Sequence, residues 1–318
     1  MATSILITGA AGFIGSHFAL EHARAHPSDS IVVLDKLTYA ADRTYLDPIA
    51  NHITFIVGDI ADPVLVAKIL KDHAIDTIVN FAAETHVDRS ISDPSPFLHT
   101  NVTGVQNLLN ICRTYPSVRL LHVSTDEVYG DLRDRDAPKK TDDPLRPSSP
   151  YAASKAAGDL LVQASARTYG IKAAISRCTN NFGPHQASEK FIPTVIRCAL
   201  NDQPIPIYAS GKNKRDWLYV TDHCSALEAI LAHGAAFDSC STFNVSADSE
   251  KENLDVAKAI LKILKKPESL LSFVQDRLGH DWRYALDSSG TRMLGWKPVI
   301  SFEEGLTKTV EWYRNRIP

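Results

Sequence analysis

The sequence predicts an α/β protein, a doubly wound parallel sheet followed by a smaller C-terminal α/β lobe. Two observations carry the first part. Short apolar runs without polar alternation take turns with longer amphipathic ones through the first half of the chain, the pattern of strands covered on both faces. A glycine-rich turn also sits directly between the first apolar run and the first amphipathic one. A third observation predicts the second lobe: Pro184, Pro193, Pro204 and Pro206 break the later sequence into short pieces. Strands are predicted over 4–8, 31–34, 53–57, 77–81, 120–123 and 173–177. Helices are predicted over 13–25, 64–73, 96–114 and 150–169, and right-handed crossovers then wind the sheet on both faces. Further helices are predicted over 221–232, 254–264 and 302–315. A chain of 318 residues exceeds what one core usually fills. The expected division is therefore 1–180 for the sheet domain and 181–318 for the second lobe, with a segment near 216–245 returning to the first. Residues 131–143 (DLRDRDAPKKTDD) are too polar for a core and read as a solvated loop.

Composition excludes several function classes. A net charge of −3 offers no electrostatic footprint for nucleic acid or an anionic membrane. Five cysteines, with no C-x-x-C pair, read as reduced thiols rather than a disulfide frame or zinc site. The histidines at helical spacing, His22 and His26, have no third ligand nearby in sequence, so a surface or capping role and no metal are expected. The N-terminus enters a strand almost at once, and no long apolar stretch follows. A cytoplasmic protein is expected.

Gly9, Gly12 and Gly15 lie in ITGAAGFIG, after the first strand and at the opening of the first helix. A tight turn there needs a residue without Cβ, and a pyrophosphate needs backbone N–H groups at a helix N-terminus. Asp35, twenty residues beyond Gly15, ends the second strand. A carboxylate there accepts from ribose hydroxyls and repels a 2′-phosphate. The motif predicts a Rossmann domain that binds NAD rather than NADP, with Lys36 as a mild counter-indication.

The run Pro150-Tyr151-Ala152-Ala153-Ser154-Lys155 starts a helix, with Ser148 or Ser149 as its cap. Tyr151 and Lys155 are one turn apart and share a face. A phenol has a pKa near 10, so a base working near neutrality must have dropped roughly 3 pH units, about 4 kcal/mol of phenolate stabilisation. A Lys ammonium and an oxidised nicotinamide could supply it. At this distance behind a dinucleotide fingerprint the pair resembles that of the extended short-chain dehydrogenase/reductase family, and the resemblance covers essentially the whole chain. It implies a Rossmann domain with a nucleotide-sugar lobe, a third catalytic hydroxyl at Thr125, and Tyr151 taking the proton of a sugar 4-hydroxyl while hydride leaves C4. It also implies a homodimer built on the helices around 96–114 and 151–169.

Asp126 and Glu127 follow Thr125 directly in STDEVYG. Two carboxyls in one enclosed site split their pKa values, one remaining an acid and the other a base. Elimination of water needs both: a base for the C5 proton and an acid for the departing 6-hydroxyl. Only a C4 ketone makes the C5 proton acidic enough, so oxidation precedes elimination, and the hydride returns to C6.

STDEVYG is similar to the motif of the dTDP-glucose 4,6-dehydratases. So are DKLTY from Asp35, AAETHVDRS from Ala82, Glu189-Lys190, RDWLYV from Arg215 and RLGHD from Arg277. The resemblance implies Asp126 as the acid and Glu127 as the base. Around NAD it implies Gly9, Gly12, Phe13, Ile14, Gly15, Asp35, Lys36, Leu37, Thr38, Asp59, Ile60, Phe81, Ala82, Ala83, Thr100, Tyr151, Lys155 and Asn181. For the nucleotide-sugar it implies Thr85, Thr125, Asn180, Glu189, Lys190, Phe191, Pro206, Ile207, Tyr208, Arg215, Asn253, Arg277 and His280. Guanidinium forks suit a diphosphate. Phe182, Ser188, Trp282 and the run Asn244-Val245-Ser246-Ala247 depart from the family pattern. They bear on the identity of the base and sugar more than on the reaction. A 4,6-dehydratase of a UDP-, GDP- or CDP-sugar, a nucleotide-sugar 4-epimerase and a silent NAD-binding scaffold are the alternatives. The acid pair argues against the epimerase, and the presence of Tyr151 and Lys155 against the scaffold.

Overall fold

The computed structural model describes residues 2–276 and 279–316. Its first half alternates β1 (Ser4–Thr8), α1 (Phe13–Ala25), β2 (Ser30–Asp35), β3 (Ile53–Val57), α2 (Pro63–Asp72) and β4 (Thr77–Asn80). Two short helices, α3 (Val87–Ser92) and α4 (Ser95–Leu98), precede α5 (Val105–Thr114) and β5 (Arg119–Thr125). The long α6 (Pro150–Tyr169) leads into β6 (Ala173–Cys178). Helix ends follow local chemistry. Asp62 caps α2 by accepting from the N–H groups of Val64 and Leu65, with Pro63 opening the helix. Ser149, not Ser148, caps α6 by accepting from Ala152, and Gly170 closes it in the left-handed region. The Ser148 hydroxyl is directed instead to Asp281.

The second half begins with β7 (Asn180–Phe182), α7 (Phe191–Leu200), β8 (Ile205–Tyr208) and β9 (Lys214–Tyr219). Then α8 (Val220–Ala232), α9 (Ala235–Asp238) and β10 (Thr242–Val245) return to the first domain. There β10 adds to β6, giving a seven-stranded parallel sheet in the order β10-β6-β5-β4-β1-β2-β3. Along that sheet α8 packs against α1, sharing an apolar core with β1 and β2. The remainder, β11 (Glu250–Glu252), α10 (Asn253–Leu264), β12 (Leu271–Val274), α11 (Ser289–Arg292) and α12 (Phe302–Arg314), mostly completes the second lobe. Its core packs α7, α10 and α12 around β8 and β9. The strand order reverses between β1 and β4, the crevice where open parallel sheets bind ligands.

The structure adds to and differs from the sequence expectation: strands β7–β12 and helix α7 of the second half have no counterpart among the predicted elements. The helix expected over 96–114 is three pieces: α4, a π-helical turn over His99–Gly104, and α5. The wider turn accompanies an inward Asn101, 1% exposed, which bonds both backbone groups of Glu84 and the Ser154 hydroxyl. Residues 131–143 form a mostly exposed loop, as the sequence predicts, but an anchored one. Leu132 is buried, and Arg283, held by Glu250, donates to the carbonyls of Arg133 and Asp136.

Gly130 ends the turn that carries the two acids, at φ 78° and ψ −170°, a conformation essentially restricted to glycine. A Cβ there would lie 2.1 Å from the Arg146 carbonyl oxygen. Gly130→Ala is expected to lower stability by about 1–3 kcal/mol, read as a reduced urea midpoint at unchanged slope.

Candidate active site

The cofactor crevice opens at the carboxyl ends of β1, β2 and β4. Gly9 turns there at φ 69°, and a Cβ on it would come within 2.6 Å of the Ala82 nitrogen. The α1 N-terminus has no side-chain cap, so its first N–H groups face the crevice undonated, as a diphosphate requires. Asp35 accepts from the N–H groups of Ala11 and Leu37, at 2.9 and 2.8 Å, which fixes its carboxylate at the crevice wall. Burial raises its pKa against those two bonds. Lys36 is bound at 2.7 Å by Asp59. Burial alone would raise Asp59, but bonds from Lys36, the Ala61 N–H and His99 outweigh it and hold the carboxyl at about 2. The cation next to Asp35 is therefore already neutralised and offers little to a 2′-phosphate. These residues fit NAD.

At the end of β5 the chain turns through Asp126–Tyr129 in a single 3-10 turn. Thr125 Oγ1 donates to Asp126 Oδ1 at 3.1 Å and accepts from the Glu127 N–H at 3.3 Å. Asp126 is 4% exposed, and its Oδ2 has no hydrogen-bond partner. Burial, then the Glu127 charge, pushes its pKa well above the carboxylate range, so Asp126 is an acid that keeps its proton. From α6, Tyr151 and Lys155 face the same place. The Lys155 ammonium donates to the Val123 carbonyl at 2.7 Å. Burial pulls it down to about 8, against the attraction of Asp159 one turn along. Tyr151 pairs with Thr125, yet burial and the Glu127 charge drive its pKa well above 10. The protein side chains alone do not make the phenolate. The positive charge of an oxidised nicotinamide is the part of the balance that Lys155 does not supply.

One cleft is lined by Thr125, Asp126, Glu127, Tyr151 and Lys155. It also takes in Gly9, Gly12, Phe13, Ile14, Gly15, Asp35, Lys36, Thr38, Asp59, Ile60, Phe81, Ala82, Ala83, Thr100 and Asn181, with Thr85, Asn180 and Lys190 from the sugar side. Leu37 is not among them. Its N–H serves Asp35 while its side chain is 38% exposed. Ile207 is not among them either: strand alternation in β8 turns its side chain into the second core, 1% exposed, while Pro206 and Tyr208 face out. Phe191 stacks on Trp217 at that core. Glu189, Arg215, Asn253 and His280 also lie outside the cleft. Tyr208 packs edge-on to His280, and Arg215 donates to the carbonyls of Lys214, Asp281 and Trp282 while lying over Tyr284. Arg215 is 5% exposed, yet its charge still acts on Asp126. Arg277 lies outside the described residues.

Sequence reasoning missed Glu84, Cys178, Thr179 and Gln186 as lining residues. Cys178 ends β6, so its position at a carboxyl strand end was a usable signal. Gln186 enters because its amide donates to the Asn181 carbonyl, a contact no local pattern encodes.

The chain matches the family model described as GDP-mannose 4,6 dehydratase over residues 6–309. It is 47% identical to a dTDP-glucose 4,6-dehydratase of Mycolicibacterium smegmatis, across 98% of this chain and 93% of that protein. The chain belongs to the dTDP-glucose 4,6-dehydratase family. The crystal structure of the dTDP-glucose 4,6-dehydratase DesIV from Streptomyces venezuelae, which has NAD bound, is 42% identical, with a TM-score of 0.93 over 99% of this chain and 98% of that one. A UDP-glucose 4-epimerase of Thermotoga maritima shares the fold at 25% identity and a TM-score of 0.90, over 99% of this chain and 100% of that one.

Asp126 supplies a stability test. Its folded-state pKa lies above the unfolded value, so the native state holds more protons between the two. Stability then falls as pH rises through that window, and the loss is complete above the folded value. Asp126→Asn does not titrate. It should be the more stable form at pH 7 by more than about 1 kcal/mol, the worth of a single pH unit. In urea denaturation that advantage should shrink toward pH 4.

Proposed function

We propose that the chain converts dTDP-glucose to dTDP-4-keto-6-deoxyglucose, with NAD as a cofactor regenerated in each turnover. The observation that carries this reading is the buried Asp126 beside Glu127 in the cleft of Tyr151 and Lys155, with burial raising the Asp126 pKa. An alcohol oxidation at C4 needs only the phenol, the hydroxyl and the lysine. A second, split pair of acids has work only if water leaves.

Bound NAD would accept hydride from C4 and give it back at C6. Gly9, Gly12, Asp35 and Lys155 would hold it, and every proton moves on the chain's own groups. Tyr151, paired with Thr125, takes the proton of the 4-hydroxyl. Glu127 removes the C5 proton, acidified by the neighbouring ketone, and Asp126 protonates the departing 6-hydroxyl. Glu127 then returns its proton to C5. One cycle leaves Tyr151 a proton richer and Asp126 a proton poorer. The Thr125 hydroxyl pairs with both groups, so it can pass that proton across and reset the site.

Two finer readings belong to the same proposal. A homodimer would cover the outer face of α6, where Ala153, Leu160 and Ala164 are exposed in one helical stripe beside exposed Leu98. A cytoplasmic location suits five free thiols. No helix among the described residues is long and apolar enough to cross a membrane.

Given dTDP-glucose and no added reduced cofactor, the chain should yield the 4-keto-6-deoxy product, and deuterium placed at C4 should arrive at C6. Loss of that label to water would overturn the mechanism. Glu127→Gln should still oxidise C4 but stall, cutting turnover at least ~100-fold and building up absorbance at 340 nm. Slower turnover of the UDP-, GDP- and CDP-sugars run in parallel would support the thymidine assignment. For the dimer, sedimentation velocity should report two chains for the native protein and one for Leu160→Glu.

A further inference from the structure

Far from the cleft, the C-terminal end of α1 carries His22 and His26 one turn apart. The fold sets Glu228 of α8 against them, 206 residues beyond His22. His22 Nδ1 lies 2.8 Å from Glu228 Oε1, and His26 Nε2 lies 3.3 Å from Glu228 Oε2. One ligand atom from each of the three falls within 4.8 Å of the others. A tetrahedral site with bonds of 2.0–2.1 Å has ligand–ligand edges of about 3.4 Å, so side-chain shifts on the order of 1 Å would close a shell.

The His22 ring is already fixed. It stacks on the buried Phe18 at 5.5 Å and is only 4% exposed. Its other nitrogen, Nε2, is buried without a hydrogen-bond partner and faces Asp29 Oδ2 at 3.4 Å. Asp29 is itself held by the Thr3 N–H. A neutral imidazole has one N–H, so it cannot serve Glu228 and Asp29 together. A metal on Nδ1 resolves this, because the proton then sits on Nε2 and points at Asp29. That is the carboxylate–histidine–metal arrangement that orients a ligating imidazole. His26, with 45% of its side chain exposed, leaves the fourth position open to solvent and an entry path.

We propose that His22, His26 and Glu228 bind one divalent transition-metal ion, with Asp29 as the carboxylate behind His22. Two imidazoles and one carboxylate select zinc-like ions over magnesium or calcium. The ion would tie α1 to α8, the helix that returns from the second lobe. It would sit at least about 15 Å along α1 from the cofactor end, at 1.5 Å per residue, and so would affect stability rather than turnover.

The test uses tag-free, full-length chain stripped with a chelator and titrated with zinc at pH 7.5. Expected are one zinc per chain, a rise of several degrees in melting temperature, no response to magnesium, and a visible cobalt spectrum of tetrahedral intensity. His26→Ala alters an exposed side chain and should fold normally. It should bind zinc at least tenfold more weakly and lose the thermal shift while keeping wild-type turnover. Absence of stoichiometric zinc binding, or zinc binding as tight as wild type by His26→Ala or Glu228→Gln, would overturn the proposal. The cluster would then be a polar contact joining α1 to α8 and nothing more.

Discussion

A buried carboxyl group that gives up its proton reluctantly is the constraint around which this site is organised. Asp126 sits at the end of a central strand, closed off from solvent and next to a second acid, and no cation is bonded to it. In water the two would both be charged. Here Asp126 is buried while Glu127 is only partly so, and burial raises the Asp126 pKa, so the difference between a general acid and a general base arises from position rather than residue type. The same burial raises Tyr151 and lowers Lys155. The three shifts share their largest cause, the loss of water at the sheet's carboxyl edge.

The scaffold that tolerates so many buried polar groups is a connected one. Thr8, at the end of β1, donates to Asn80, and Asn80 pairs with His122 on β5. The His122 ring stands 3.6 Å from Asp159, which Arg177 binds at 2.8 Å, and Arg177 reaches the Tyr129 hydroxyl and through it Asn244. This chain crosses the sheet from the phosphate turn to the turn carrying the acids. The chain has one break, because His122 Nε2 and Asp159 Oδ1 face each other without a hydrogen bond, while the bonded stretches on either side rigidify the core. Asp159 also opposes the desolvation of Lys155, so the network supports the chemistry as well as the fold.

Kinship and chemistry agree on where to draw the line with the epimerases. The Thermotoga epimerase shares the fold closely at a quarter identity, so architecture cannot separate dehydration from epimerisation. The pair of acids can, because elimination is the step that requires them.

Much of the fold was written in local signals. Period and punctuation located β1–β6 and the longer helices within about two residues, because an apolar run between glycine and proline has few other uses, but not the short strands of the second half. The three glycines, Asp35, the acid pair and Tyr151–Lys155 were equally legible, since each motif is compact in sequence. What remained hidden depended on residues far apart in the chain. The Lys36–Asp59 pair that neutralises the worrying cation, the burial of Ile207, the π turn that brings Asn101 to Glu84, and Glu228 beside two histidines are all long-range meetings. Sequence by itself determined which groups were available and in what order along the chain. Only the tertiary structure decided which of them lost water and which found a partner, because desolvation and pairing depend on distance in space.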